Sequence, residues 1–136
     1  MTDAFPVTIY HNPACGTSRN TLAMIKAAGY APEVVEYLET GWTHQQLQQL
    51  LTAMHRRARD IMREKGTPAA ELGLLDAAVS GEKIVDAMVE HPILVNRPIV
   101  VTPLGVRLCR PSEVVLEILD RKPAEFVKED GEIVRP

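Results

Sequence analysis

Val7-Thr8-Ile9-Tyr10 is a short β-branched and aromatic run that reads as a buried strand, and Glu33-Val34-Val35-Glu36-Tyr37-Leu38 alternates enough to be a second. Between them Thr21 to Ala28 carries good helix formers, with Leu22 and Ile25 on one face and Gly29 as the stop. A strand, one helix and a strand in this order pair in parallel through a right-handed crossover. That unit dictates where the most unusual stretch must lie. His11-Asn12-Pro13-Ala14-Cys15-Gly16-Thr17-Ser18-Arg19 fills the turn from first strand to helix. Cys15 therefore stands beside the first free N–H groups of a helix. Those groups and the helix dipole favour negative charge, so they lower a thiol pKa below its usual value of about 8.5 and also bind an anion.

A lone cysteine is most often a small buried hydrophobe. Asn12, Gly16, Thr17 and Ser18 are poor company for an inert core thiol. They read instead as the supporting turn of a reactive thiolate. His11, four residues earlier, either helps to keep the thiol deprotonated or orients a bound anion. The plainer alternative is a strand-end histidine hydrogen-bonded to backbone, and spacing does not decide between them.

A chain of 136 residues is long enough for one core, so a single domain is expected. A formal charge of −3 argues against binding dominated by nucleic-acid phosphates. No apolar run approaches the roughly 20 residues that cross a bilayer, and Met1-Thr2-Asp3-Ala4-Phe5-Pro6 lacks the regions of a signal peptide. A cytoplasmic protein with no membrane or nucleic-acid partner is the expectation. Disulfides are rare in that compartment, and Cys15 and Cys109 fit no zinc spacing, so no metal is expected either.

Further along, Gly41 breaks the second strand and Thr43-His44-Gln45-Gln46 is a capping-box pattern before Leu47, Leu50, Leu51 and Met54. His55 to Lys65 turns basic around Ile61 and Met62, which predicts a short helix with one buried edge and a solvated face. Pro68 opens another helical turn through Leu72. Ser80-Gly81-Glu82 caps a helix with Ile84, Val85, Met88 and Val89 inward, ended by His91-Pro92. Ile99 to Thr102 reads as a strand, Pro103-Leu104-Gly105 as a turn and Val106 to Cys109 as its antiparallel partner. Arg110-Pro111-Ser112-Glu113 opens a last helix with Val114, Val115, Ile118 and Leu119 inward. From Asp120 to Pro136 a polar surface tail is expected. The order is that of an α/β, thioredoxin-like fold: a four-stranded mixed sheet flanked by helices, with an enlarged helical insert at about 43–78 in a core of about 7–119. In such folds a cis proline commonly precedes a core strand near the site, and Pro98 holds that place.

Arg97 and Arg110 stand at the two ends of the strand-turn-strand unit. If that unit lies beside the first strand, both guanidiniums reach the mouth of the Cys15 turn, where arginine binds oxyanions bidentately. Surface salt bridges are the alternative for either one taken singly. Cys109, in an apolar strand, reads as packing rather than chemistry.

His11-Asn12-Pro13-x-Cys15-x-x-Ser18-Arg19, Asn96-Arg97-Pro98-Ile99-Val100 and Leu108-Cys109-Arg110-Pro111-Ser112 together resemble the glutaredoxin-linked arsenate reductases. The resemblance runs from Val7 to about Leu119. It implies reduction of arsenate to arsenite with glutathione as co-substrate, glutaredoxin as partner and no bound cofactor. Cys15 matches the nucleophile, and His11 the histidine thought to assist it. Arg97 and Arg110 match two of three anion-binding arginines. The third falls in the insert, where Arg63 is the matching position and Arg59 the competing one.

Three other functions fit the pattern less well. A phosphatase-like loop needs an arginine six residues after the cysteine, where Thr21 stands. Cys15-Gly16-Thr17-Ser18 would suit a glutaredoxin-like thiol transferase, but converging arginines would be superfluous there. A non-enzymatic RNA polymerase-binding regulator on the same fold would not need His11, Arg97 and Arg110 together beside the cysteine.

Overall fold

The computed structural model describes residues 5–136, so the first four residues, on which part of the signal-peptide reading falls, lie outside the described residues. The chain divides into two compact units, one of residues up to Glu36 joined by Arg97–Pro136, the other Tyr37–Asn96.

The first unit is built on β1 (Thr8–His11), α1 (Gly16–Ala27), β2 (Glu33–Glu36), β3 (Ile99–Thr102) and β4 (Gly105–Leu108). The strands form one sheet in the order β2-β1-β3-β4. β1 runs parallel to β2, Ile9 opposite Val34, and antiparallel to β3, Ile9 opposite Val100. β3 turns into β4 with Thr102 opposite Gly105. This is the predicted thioredoxin-like sheet. β2 is shorter than expected because Tyr37, only 1% exposed, starts a helical turn instead of continuing the strand.

α1 begins one turn earlier than its apolar pattern suggests, at Gly16, with Cys15 as its N-cap residue. Ser18 and Thr21 lie in its buried stripe ahead of Met24 and Ile25, so polar residues conceal the start of the helix from a hydrophobic reading. Its end is as expected. Gly29 takes φ +98° while its N–H donates to Lys26 O and that of Tyr30 to Ile25 O, a Schellman closure. Met24, Ile25, Ile9, Val100, Val115 and Ile118 share one core.

The last predicted helix, Ser112–Ile118, is a 3-10 helix. Its three-residue period stacks Ser112, Val115 and Ile118 inward, which an α-helix would not. The expected surface tail also differs. Residues 120–136 carry a small hairpin, β5 (Phe126–Val127) with β6 (Ile133–Val134), whose Val134 joins the core. Gly131 turns it at φ +93°.

The second unit holds α2 (Tyr37–Thr40), α3 (His44–Met54) and α4 (Gly81–Glu90). Thr43 caps α3 in a complete box with Gln46, and Ser80 accepts from Lys83 N at the start of α4. The basic stretch is not a helix of the expected length. A capping contact between Arg57 and Asp60 allows a single 3-10 turn, Ala58–Ile61, and Met62 then bridges to Val95 in extended form. The Pro68 turn closes with Leu72 N donating to Pro68 O at 2.9 Å. No helix among the described residues is long and apolar enough to cross a membrane.

Candidate active site

Asn12 starts the turn after β1 by folding back on it. Its Oδ1 accepts from Ala14 N at 2.9 Å, and its carbonyl accepts from Cys15 N at 3.0 Å. That pair of bonds delivers Cys15 to the head of α1, where Arg19 N donates to the Cys15 carbonyl at 3.0 Å. Gly16 and Thr17 are the first residues of the helix proper, and Thr17 O accepts from the Thr21 hydroxyl.

Two arginines from the ends of the β3–β4 unit meet the thiol. Arg110 Nη1 lies 3.7 Å from Cys15 Sγ and also donates to Arg97 O at 2.8 Å, so the two strand ends are tied together at the sulfur. Arg97 hydrogen-bonds the sulfur as well. The Arg97–Pro98 peptide is cis, as expected, and so is Arg110–Pro111, which nothing in the sequence signalled. Cys15 is 8% exposed, and burial alone would push its pKa up. The hydrogen bonds from Arg97, the Ser18 N–H and Arg110 outweigh burial and bring it down to about 7. The thiol is therefore about half ionised at neutral pH.

The Nδ1 of His11 is engaged by Ser18 rather than by the sulfur. It lies 2.6 Å from Ser18 Oγ, which also accepts from Asn12 N at 3.1 Å. Which of the two donates across that contact follows the tautomer of the His11 ring. Burial, above the opposing influence of Glu36, holds the imidazole pKa below its ordinary value, so His11 is neutral near pH 7. The partner of His11 is thus a side chain and not the backbone of the strand-end reading: His11 holds Ser18, whose N–H hydrogen-bonds the thiolate.

Cys109 is fully buried, and burial pushes its pKa up to about 12. It is a packed thiol in the core, as expected, although β4 ends one residue before it, at Leu108. Arg63 belongs to the second unit, where Nη1 donates to Asn96 Oδ1 at 3.2 Å and Nε to Lys65 O at 3.1 Å. Arg59, the competing position, donates to the carbonyls of Leu74, Asp76 and Val79. Those three bonds make it a structural clamp on the 68–79 turns. Among the described residues no group of His, Cys, Asp and Glu has the arrangement of a metal centre.

What this geometry offers is a thiolate at a helix N-terminus under two guanidiniums, a site for a nucleophile and a tetrahedral oxyanion together. Known proteins with the same pattern agree. The ArsC family model matches residues 10–118. An arsenate reductase of Rhizobium meliloti is 62% identical over 94% of this chain and 92% of its own, and one from Escherichia coli K12 is 55% identical over the same shares. The solved structure of an arsenate reductase from Vibrio cholerae, 44% identical, superposes with a TM-score of 0.81 over 86% of this chain and all of that one. With the family pattern spanning the sheet, the cysteine turn and both arginine-bearing strand ends, this chain belongs to the ArsC family.

Proposed function

We propose that the chain is an arsenate reductase whose nucleophile is Cys15. The observation that carries this reading is the thiol at the head of α1, ionised near pH 7, with Arg110 Nη1 at 3.7 Å. Arsenate binds as a dianion, its charge met by Arg97, Arg110 and the helix N-terminus. Arg63 is carried as a third anion-binding arginine on its match in the family pattern alone; within its own unit its Nη1 donates to Asn96 Oδ1. His11, Asn12, Gly16, Thr17 and Ser18 hold the turn.

The Cys15 thiolate attacks arsenic, an As–S bond forms and one arsenate oxygen leaves as water. Glutathione, the co-substrate, displaces a second oxygen as water, giving arsenic(V) held between two sulfurs. A glutaredoxin thiolate then attacks the glutathione sulfur. A disulfide forms between those two, and the electron pair of the broken As–S bond stays on arsenic, now arsenic(III). Water releases arsenite and the Cys15 thiol. The electrons come from outside because Ser18 stands where a Cys-x-x-Cys motif has its second cysteine, and Cys109 is fully buried. No prosthetic group takes part. The reaction suits the cytoplasm, where glutathione is kept reduced.

The test is arsenite formation from arsenate with glutathione and glutaredoxin present, compared with omission of each. Formation that needs both supports the scheme. Reduction of a mixed disulfide with no arsenite formed would instead make the protein a thiol transferase.

A further inference from the structure

Arg19 ends the cysteine turn in sequence, yet no step above uses it. Each of its three guanidinium nitrogens makes one hydrogen bond. Nε and Nη2 donate to the two Glu129 carboxylate oxygens at 2.8 and 3.0 Å, and Nη1 donates to the Pro13 carbonyl at 2.8 Å. Glu129 comes from the loop of the β5–β6 hairpin, and its own N–H donates to Asn20 Oδ1 at 3.0 Å. A Cβ added at Gly16 would lie 3.7 Å from both Arg19 Nη2 and Glu129 Oε1, so the pair rests on the residue next to Cys15. The hairpin is anchored separately, by Val134 in the core and by Lys128 Nζ at 2.7 Å from Glu113. Arg19 and Glu129 are 43% and 49% exposed, and such pairs contribute little to stability. A three-bond fork across the turn of a nucleophile calls for another role.

We propose that Arg19 and Glu129 are positioning residues for Cys15: the C-terminal hairpin fixes the guanidinium against the Pro13 carbonyl and offsets its charge, leaving Arg97 and Arg110 as the cations that act on the thiolate. The proposal rests on Cys15 being the nucleophile, but its main readout needs no arsenate. The charged groups around the thiol are Arg97 and Arg110 from the strand ends and Arg19 from α1, with neutral His11 from β1 and, facing His11, Glu36 and Lys26. Around the Arg19–Glu129 pair stands Lys128, itself occupied by Glu113 and Glu132. Glu129 first, and Cys15 to a smaller degree, hold Arg19 in its charged form, so the guanidinium is within electrostatic reach of the sulfur.

Iodoacetamide alkylation of Cys15 followed by mass across pH, in the full chain, tests this. Glu129→Gln frees the Arg19 charge and should move the inflection down, whereas Arg19→Gln removes that charge and should move it up, each by about 0.3–0.6 pH units. With both residues replaced the two opposite shifts should largely cancel, returning the inflection close to the wild-type value. Shifts in the same direction, no shift in either single variant, or a double variant displaced as far as one of them would overturn the charge role. Arg19→Lys keeps the charge, but a compact ammonium cannot meet both Glu129 oxygens and Pro13. It should keep the wild-type inflection and lose kcat with arsenate by ~3- to 10-fold. Full kcat in that variant would overturn the positioning role.

Discussion

Replacing Arg97 with alanine should raise the Cys15 pKa from about 7 by roughly one unit, because the strongest hydrogen bond favouring the thiolate is lost while burial continues to disfavour it. The sign is set by which influence survives. Ser18 N–H and Arg110 remain, so the thiol does not return all the way to a buried, unassisted value. At pH 7 the thiolate fraction falls about fivefold, from one half to about one tenth. A more basic thiolate is also a better nucleophile, with a Brønsted slope of about 0.4–0.5, which restores a factor of about three. The net loss in alkylation rate at pH 7 is then only about twofold, and above pH 9 the variant should be the faster of the two. The inflection, not the rate at one pH, is therefore the quantity to measure, by iodoacetamide alkylation from pH 5 to 10. An inflection that stays near 7 without Arg97, or a wild-type inflection at 8.5 or above, would refute this account of the site.

Other outcomes can be stated more briefly. Arg110→Ala should cut arsenate turnover far more than it lowers the melting temperature, and Arg110→Lys should recover only part, since a point charge cannot reproduce the fork that meets an oxyanion; full activity in the alanine variant would remove Arg110 from the site. Cys109→Ser should keep multiple turnover with glutathione and glutaredoxin while Cys15→Ser loses it, and a single turnover by Cys109→Ser would make Cys109 a resolving thiol. Because the Cys109 pKa is raised to about 12, its contribution to stability is complete below the unfolded thiol value and declines as pH rises towards 12. Across pH 9–11 the loss is about 1.4 kcal/mol per unit from this group, so Cys109→Ala should flatten the alkaline decline seen in urea titrations by that amount. Val134→Ala should cost about 1–2 kcal/mol in the same assay, and an unchanged midpoint would detach the hairpin from the core.

Features that depend on near neighbours are legible in the amino-acid sequence. Thr43 and Gln46 cap α3 through bonds of 3.1 and 3.3 Å between residues three apart, and Gly29 closes α1 through the adjacent turn. The βαβ unit and the β3–β4 turn follow from the same kind of local chemistry. Legibility fails where two conformations satisfy one pattern. Val114, Val115, Ile118 and Leu119 suit an α-helix as well as the 3-10 helix that forms, and two-residue strands such as Phe126–Val127 carry no period at all. At the site, residue types and the turn itself can be read from the chain. The approach of Arg110 to the turn follows from its place at the end of the strand-turn-strand unit, whereas its tie to the Arg97 carbonyl and the contact between Ser18 and His11 cannot be read there. The Arg19–Glu129 pair is only half legible, as an arginine within the motif whose acidic partner lies in a polar stretch that reads as solvent-facing tail.

The buried hydroxyl of Ser18 also limits how this lineage can change. An evolving enzyme with a single working thiol could in principle gain autonomy by one substitution, Ser18→Cys, which would install a dithiol motif and dispense with outside thiols. Here that hydroxyl accepts from Asn12 N and serves His11 at once, with no exposed surface. Sulfur is larger and a poor partner for both. The variant would leave two buried polar groups underserved, at about 1–3 kcal/mol each, before any new disulfide could form. Under the proposed scheme, dependence on other thiols is thus held in place by packing, and escape from it requires several coordinated changes around β1.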